Sequence, residues 1–312
     1  MIRKIFALLA LIIAVSAGVF AITNNTKNNE KSNKVQVAAS FYPLADFAKN
    51  VGGEYVSVQN VTPAGAEPHD YEPAARDLAD ISSSDVFIYN GGAFEPWTEK
   101  FVRSYKHTSI EASDGITLHE AHEEEEPGHE QSEHEHGSAD PHFWLDPILA
   151  QKIVANIRDG LVKADPAHAD DYRKNANEYQ AKLAKLDAAY KDGLAHCSID
   201  TVIASHGAFG YIAERYHFTA DAITGISPEE EPSAQKMAEL ATLAHEKNIK
   251  YIFFEHLVSP RLADTIAQEV GAKTLVFDPI EGLTKEDQDK GKNYISIQYE
   301  NLQAIRTARA CR

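Results

Sequence analysis

The sequence predicts an α/β protein of two lobes, each with a parallel sheet flanked by helices, joined by one long rigid helix. Strand-like apolar runs alternate with helical patterns in two blocks, at the spacing typical of parallel sheets with helices on both faces. Between the blocks lies one long amphipathic pattern, unlike a flexible linker. With 312 residues, 43% hydrophobic and 25% charged, the chain is long enough for about two globular domains.

Each block contains four predicted strands with helices between them. In the first block the strands are 35–40, 56–63, 85–91 and 108–112, and the helices are 42–51, 74–81 and 96–105. In the second block the strands are 201–205, 219–224, 251–255 and 274–277, and the helices are 209–216, 233–247 and 260–270, with a last one near 294–310.

The long helix is predicted from an apolar stripe between the blocks. In "DDYRKNANEYQAKLAKLDAAYKDGL" the apolar residues recur in steps of 4, 3, 4, 3, 4 and 4 from Tyr172 to Leu194, which is one face of a helix. Some 25 residues would span roughly 37 Å, enough to run along both lobes. A dimeric coiled coil is the alternative, but the stripe is short for a heptad array. The helix before it begins with Asp146 as N-cap and Pro147 at its first position.

These patterns divide the chain into four segments. They are an export signal or anchor with a polar tail at 1–33, an N-terminal lobe at 34–165, a long linker helix at 166–196 and a C-terminal lobe at 197–312. In the first segment, Arg3 and Lys4 precede an apolar run, Ile5–Ile22, that is typical of a secretion signal. The run is also about long enough for an uncleaved membrane anchor. We therefore expect an extracytoplasmic protein, in the periplasm or at the cell surface, either soluble or held by this anchor.

An acidic, histidine-rich segment, 117–140, lies within the N-terminal lobe. From His119 to Asp140 it contains nine of the acidic residues behind the net charge of −17, and no Lys or Arg. Its Gly, Ser and Glu leave too little apolar surface to order it, so we do not expect the main metal site there. The acidic balance argues against nucleic-acid binding, which needs clustered Lys and Arg, and suits cations.

Four metal-competent side chains lie where open α/β folds bind ligands, beyond the carboxyl ends of strands. His69 follows the second strand, His206 closes "TVIASH", Asp278 closes "TLVFD", and His142 lies in "DPHFWLDP". Each alone is an ordinary loop residue, and Asp278 before Pro279 is a common way to start a turn. Together they supply three imidazoles and one carboxylate, a donor set that suits tetrahedral zinc. We predict that they converge in a cleft between the lobes.

Five motifs occur in order between about residue 35 and the end of the chain: "PAGAEPHDYEP", "DPHFWLDP", "SHGAFGYIAERY", "ISPEEEPSAQ" and "VFDPIEGL". In these motifs the chain resembles the metal-receptor proteins of bacterial ABC importers, specifically their zinc-binding, ZnuA-like branch. The resemblance implies two α/β lobes on a rigid helix, and His69, His142, His206 and Asp278 as the ligands. Manganese receptors of this family tend to have a carboxylate where this chain has His206, and a third imidazole favours zinc. Unlike many relatives, the chain lacks a lipid-anchoring Cys.

The resemblance also gives the histidine-rich segment a role, since such a loop recurs in the zinc branch. Its histidines are predicted to capture zinc weakly and pass it toward His142: His119, His122, His129, His134 and His136. Ordering a floppy chain around an ion costs entropy, so these sites would be exchangeable. A solvated spacer without a role is the alternative.

Four further residues carry predictions. Glu255, at a strand's carboxyl end, is predicted to orient a ligand imidazole, and Glu67 is an alternate oxygen donor. Cys197 and Cys311 are the only cysteines, and both should lie at the end of the C-terminal lobe opposite the cleft. That favours a structural disulfide over metal ligation, with two unrelated thiols as the alternative.

The resulting interpretation is an exported, monomeric zinc receptor that delivers Zn²⁺ to the membrane permease of an ABC importer and catalyses no reaction. Three alternatives stay open: a receptor for manganese or another divalent metal, a surface adhesin on the same scaffold, and an exported zinc hydrolase. The hydrolase would use three histidines with an open fourth position, but the sequence lacks an H-E-x-x-H motif.

Overall fold

The computed structural model describes residues 34–120 and 139–312. Within them lie two four-stranded sheets, both parallel throughout. The N-terminal sheet has the order β2-β1-β3-β4 and the C-terminal sheet the order β6-β5-β7-β8. The strands are β1 Val35–Ala39, β2 Val56–Asn60, β3 Val86–Tyr89, β4 Thr108–Glu111, β5 Thr201–Ala204, β6 Thr219–Ala222, β7 Tyr251–Phe254 and β8 Lys273–Val276. The two sheets therefore share one topology, and the predicted fold class is confirmed.

Helices connect the strands in both lobes, as the alternation predicts. They are α1 Tyr42–Gly52, α2 Ala75–Ser82, α3 Thr98–Ser104, α4 Pro147–Ala164, α5 Ala169–Leu194, α6 Gly210–Arg215, α7 Ala234–Glu246, α8 Arg261–Val270, α9 Lys285–Asp289 and α10 Tyr294–Ala308. All eight predicted strands extend one to three residues beyond the observed carboxyl ends. The loops that follow β2, β5, β7 and β8 carry residues of the candidate site.

The long helix α5 has 26 residues and is about 39 Å long. Its buried apolar residues are the predicted stripe: Tyr172, Ala176, Tyr179, Leu183, Leu186, Tyr190 and Leu194. It packs on α1, α4 and α10, and so touches helices that precede and follow it in the chain. The N-cap prediction for α4 is also confirmed, because the Asp146 carboxylate accepts a hydrogen bond from the Ile148 amide at 2.7 Å.

The joint between the two sheets is part of the hydrophobic core. One cluster of buried side chains includes Val37 of β1, Trp144 before α4, Val202 of β5 and Tyr294 of α10. Three ring systems in it, those of Phe41, Phe94 and Trp144, pack with centroids 4.8–5.1 Å apart and interplanar angles of 55–69°. Because interiors are packed as densely as crystals, this joint favours small lobe movements over a wide hinge.

At the end of the C-terminal lobe that precedes β5, the sulfur atoms of Cys197 and Cys311 lie 2.01 Å apart, at bonding distance. The carboxyl ends of the strands face the other way, so this pair is remote from the predicted cleft. Among the described residues, no helix combines the length and apolar character needed to cross a membrane. The predicted export signal, 1–33, lies outside the described residues.

Candidate metal centre

His69 reaches the centre from the loop after β2. Gly65 in this loop has a φ of +79°, which glycine adopts readily, and its amide donates to the carbonyl of Leu283 at 3.1 Å. The His69 amide donates to the Glu67 carboxylate at 3.1 Å. The His69 ring packs against Phe94 with centroids 4.6 Å apart. The loop backbone and this aromatic wall thus set the ring's position.

His142 lies in the segment between the histidine-rich region and α4, and it is fully buried. The Asp140 carboxylate accepts hydrogen bonds from both the backbone amide of His142, at 2.9 Å, and its Nδ1, at 2.8 Å. With Nδ1 donating to Asp140, the Nε2 lone pair is free to bind a metal. A short 3₁₀ turn, Phe143–Leu145, follows and leads into α4.

His206 follows β5 and is likewise fully buried. Its Nδ1 lies 2.6 Å from Oε1 of Glu255, which follows the neighbouring strand β7. The Ser205 hydroxyl donates to the same carboxylate oxygen. The structure therefore places Glu255 in the orienting contact that the sequence predicted.

The fourth member of the centre is Glu281, in the loop after β8. Its Oε1 lies 3.3 Å from the Nε2 atoms of His69, His142 and His206 alike. Ile280, just before it, has a φ of +61°, an uncommon conformation for a β-branched residue. That conformation is supported by the Asp278 carboxylate, which accepts from the Ile280 amide at 2.7 Å.

Five of the six separations among the four donor atoms are 3.2–3.3 Å, close to the edge of a coordination tetrahedron. The Nε2 atom of His142 lies 3.2 Å from that of His69 and 3.3 Å from that of His206. A tetrahedron with metal–nitrogen bonds of about 2.0–2.1 Å has edges of about 3.3 Å. All four donor atoms lie within 4.8 Å of one another, and residues 34–120 and 139–312 hold no other such group of three or more.

Burial and charge oppose each other at this centre. Burial would lower the pKa of His206, but the carboxylates of Glu255 and Glu281 outweigh it and raise that pKa well above its ordinary value. For His142 too, the hydrogen bonds to Asp140 and Glu281 overcome burial and raise the pKa. In His69 burial prevails and lowers the pKa. Burial would raise the pKa of Glu281, but the charge of His206 and hydrogen bonds from the histidines hold it well below its usual range.

The centre differs from the predicted ligand set at one position. Three of the four predicted residues, His69, His142 and His206, are brought together, but Asp278 is not in the group. Its backbone is held by Asn301, which accepts from the Asp278 amide at 2.9 Å and donates to its carbonyl at 2.6 Å. Its carboxylate supports the turn that delivers Glu281. Sequence reasoning chose the carboxylate at the strand end. The carboxylate that this reasoning missed, Glu281, lies in the same motif, "VFDPIEGL".

The other predicted residues lie at different distances from the centre. Glu67 bonds the His69 backbone rather than joining the group, and burial together with the charge of Glu281 raises its pKa to about 9. His119 stacks on Tyr211 with ring centroids 3.9 Å apart. The remaining predicted capture residues, His122, His129, His134 and His136, lie outside the described residues.

A cavity of about 1120 Å³ borders the centre on the side of the C-terminal lobe. His206 and Asp140 form part of its wall, and His119 and Glu120 lie at the base of the histidine-rich segment beside it. Its lining also includes acidic side chains from the C-terminal lobe: Glu214, Asp221, Glu230 and Glu231. A cavity with this lining attracts cations.

The sequence profile of one protein family, described as ZnuA, zinc-uptake complex component A, periplasmic, matches residues 37–308. The chain belongs to the ZnuA family. The members of this family are components of zinc uptake and not enzymes. The sequence interpretation likewise assigned no catalysed reaction to the chain. The ZnuA-like resemblance drawn from the five motifs is thereby confirmed.

Individual ZnuA relatives agree with this assignment. The high-affinity zinc uptake system protein ZnuA of Bacillus subtilis is 42% identical over 306 residues, which are 97% of this chain and 96% of that protein. The zinc-binding lipoprotein AdcA of Streptococcus pneumoniae is 37% identical over 96% of this chain, but the match spans only 60% of AdcA. The zinc-bound structure of the ZnuA-like domain of that AdcA covers 88% of this chain and 99% of the domain, with 38% identity and a TM-score of 0.75.

Proposed function

We propose that this protein is an extracytoplasmic zinc receptor that holds Zn²⁺ between His69, His142, His206 and Glu281. The observation that carries the proposal is the buried set of four donor atoms, five of whose six separations are 3.2–3.3 Å, close to a tetrahedral edge. Zinc binds imidazole nitrogen and carboxylate oxygen in this geometry. Relatives named for zinc uptake and zinc binding support the same cargo.

Zinc is favoured over manganese by the ligands themselves. Manganese prefers carboxylate, carbonyl and water oxygens, whereas imidazole suits zinc. Two of the three histidines are also oriented by carboxylates, Asp140 and Glu255. This raises the basicity of the ring as a ligand. We expect the binding preference for zinc to depend on these two carboxylates as well as on the ligands.

The proposed partner is the membrane permease of an ABC importer, to which the receptor delivers zinc. The description of the family as part of a periplasmic uptake complex supports this partner. Delivery requires that a tight site be opened without unfolding the protein. The contacts around each ligand indicate how the site divides.

The segment that carries His142 is bonded mainly to the C-terminal lobe. Trp144 Nε1 donates to the carbonyl of Pro279 at 2.8 Å, and Gln298 Nε2 donates to that of Leu145 at 3.0 Å. Among the described residues, a bond from Asn90 to the Pro141 carbonyl at 2.9 Å ties the segment to the end of β3 in the N-terminal sheet. We therefore expect His142, His206 and Glu281 to move together and His69 to separate from them on release. Backbone amide hydrogen exchange, measured with and without zinc, tests this division. A larger acceleration on zinc removal around His142 than around His69 would contradict it.

A competition titration of metal-stripped protein with Zn²⁺ and Mn²⁺, against a chromophoric chelator, tests the function. The intact chain and a deletion of 121–138 should each bind one tight zinc equivalent, with additional weak equivalents in the intact chain alone. Manganese should compete poorly in both. Loss of the tight equivalent in the deletion variant would move the main site into the histidine-rich segment and overturn the proposal.

The fourth ligand is tested by a matched pair of variants. Glu281→Gln should weaken the tight zinc equivalent by more than about 100-fold, beyond the range for loss of a partner that only orients a ligand. Asp278→Asn, which leaves the Ile280 turn an oxygen acceptor, should change the dissociation constant far less. The reverse ranking would restore Asp278 as the ligand.

A further inference from the structure

The base of the histidine-rich segment is closed by a short antiparallel contact. Glu120 and Ala139 form an isolated β-bridge, and next to it the Asp140 amide donates to the His119 carbonyl at 2.9 Å. The residues on the two sides of 121–138, His119–Glu120 and Ala139–Asp140, thus lie side by side. Asp140 belongs both to this contact and to the metal centre.

A tyrosine of the C-terminal lobe holds both strands of this contact. Tyr211, on α6, is 2% exposed. Its hydroxyl accepts from the His119 amide at 2.9 Å and donates to the Asp140 carbonyl at 2.7 Å. Its ring stacks on the His119 ring with an interplanar angle of 14°, and His119 Nε2 lies 3.1 Å from the Glu214 carboxylate on the same helix.

Asp140 connects the contact of Tyr211 with His119 to the candidate metal centre. One of its carboxylate oxygens bonds His142 twice, through the amide and through Nδ1. The other lies against α6, where a side chain on Gly210 would place Cβ 2.9 Å from Oδ2. That is closer than real Cβ contacts allow. Glycine at 210 is therefore what lets the Asp140 carboxylate pack against the helix.

We propose that Tyr211 is a positioning residue for zinc binding, acting through Asp140 on His142. This proposal rests on the zinc-receptor function proposed above. By fixing the Asp140 backbone from the opposite lobe, Tyr211 aims the carboxylate that sets the orientation of the His142 ring. Ordering these groups before the metal arrives removes an entropic cost from binding. Through these contacts, the orientation of the His142 ring also depends on the position of α6 in the C-terminal lobe.

The test compares two tyrosines whose hydroxyls each donate to a backbone carbonyl. Tyr211→Phe keeps the ring and its stacking and removes only the hydroxyl. Tyr105→Phe is the matched control, because its hydroxyl donates to the Ser84 carbonyl at 2.8 Å and contacts the Ser84 hydroxyl at 2.9 Å, just before β3 of the N-terminal lobe. Tyr211→Phe should weaken zinc binding by about 10-fold, the lower figure for loss of a partner outside the ligands. Tyr105→Phe should leave the zinc dissociation constant within about twofold.

The Asp140→Ala background separates positioning from a loss of stability. If Tyr211 acts through Asp140, adding Tyr211→Phe to Asp140→Ala should not weaken zinc binding further, although it should still lower the melting temperature. The visible absorption of the Co²⁺-loaded protein should shift with Tyr211→Phe and not with Tyr105→Phe. Gly210→Ala, which displaces the carboxylate and keeps the hydroxyl, should also weaken zinc binding.

The outcomes distinguish this proposal from the function on which it rests. If the unmodified chain shows no tight zinc equivalent, the receptor function itself fails. If it binds zinc tightly and loses it with His206→Ala, yet Tyr211→Phe binds as the unmodified chain does, only the positioning role is overturned. Equal and additive weakening in the Asp140→Ala background would also overturn it.

Discussion

The two lobes use the same arrangement at equivalent strand ends, but only one of them places a proposed zinc ligand there. After β1, the Ser40 hydroxyl donates to the buried carboxylate of Glu95. After β5, the Ser205 hydroxyl donates to that of Glu255. The next residue is Phe41 in the first lobe and His206 in the second.

The backbone around these serines is also equivalent. The amide of Thr62 donates to the Ser40 carbonyl at 3.0 Å, and that of Thr224 donates to the Ser205 carbonyl at 3.0 Å. Both threonine hydroxyls bond the same carbonyls. The difference between the lobes is therefore chemical rather than architectural. In the C-terminal lobe the carboxylate contacts an imidazole that we propose as a zinc ligand, whereas in the N-terminal lobe it is a buried acid.

The largest effect should come from converting one strand end into the other. His206→Phe removes a ligand while filling its volume, and should weaken zinc binding by more than about 100-fold. Phe41→Ala should cost about 3–5 kcal/mol of unfolding free energy but keep one tight zinc equivalent in the folded protein. Zinc competition and denaturant unfolding measure the two quantities. Tight binding by His206→Phe would contradict the assignment of His206.

The buried acid of the first lobe should be visible as a pH dependence of stability. Burial, opposed by hydrogen bonds from Ser40 and Asn90, raises the pKa of Glu95 from 4.5 to about 7. Since the folded state disfavours the ionised form, stability is lost as pH rises from about 4.5 to 7. In zinc-free protein, the unfolding free energy of Glu95→Gln should therefore rise by roughly 3 kcal/mol relative to that of the unmodified chain between pH 4.5 and 7.

An exposed carboxylate provides the control for that measurement. Glu246→Gln changes a residue on the outer surface of α7 and should show no comparable change in relative stability between pH 4.5 and 7. Denaturant unfolding at several pH values, with a chelator present, separates the two variants. A Glu95→Gln profile parallel to that of the unmodified chain would show that Glu95 does not titrate in this way.

The two buried carboxylates should differ in their effect on zinc. Glu255→Gln removes the charge that faces Nδ1 of His206 and should weaken zinc binding by about 10–100-fold. Glu95→Gln is the matched change in the other lobe and should leave the zinc dissociation constant within about twofold. Competition titrations against a chelator at constant temperature give both zinc dissociation constants. Similar effects of the two variants would indicate that the carboxylates act through stability alone.

The smallest expected effect concerns the serines that bond these carboxylates. Ser205→Ala should weaken zinc binding by less than about 10-fold, because Glu255 still contacts His206 directly. Ser40→Ala should leave zinc binding unchanged. Each variant should lose about 1.5–3 kcal/mol of unfolding free energy where the lost bond is to a charged carboxylate. A larger zinc effect from Ser40→Ala than from Ser205→Ala would reverse the comparison.

The sequence by itself determined the fold class and the α5 stripe, and it singled out three residues of the candidate metal centre. Periodicity gave the elements, and the rule that ligands lie beyond the carboxyl ends of parallel strands singled out His69 and His206. Even the orienting contact of Glu255 was predictable, because neighbouring parallel strands end at the same edge of a sheet.

Only the tertiary structure decided between Asp278 and Glu281, and only it related Tyr211 to Asp140. Both carboxylates of "VFDPIEGL" lie beyond β8, so position in the chain cannot rank them. The positive φ of Ile280 turns the chain so that Glu281 enters the group, while Asp278 accepts the bond that supports the turn. Tyr211 and Asp140 are 71 residues apart. Contacts between such distant residues follow from how the lobes pack, which no local pattern specifies.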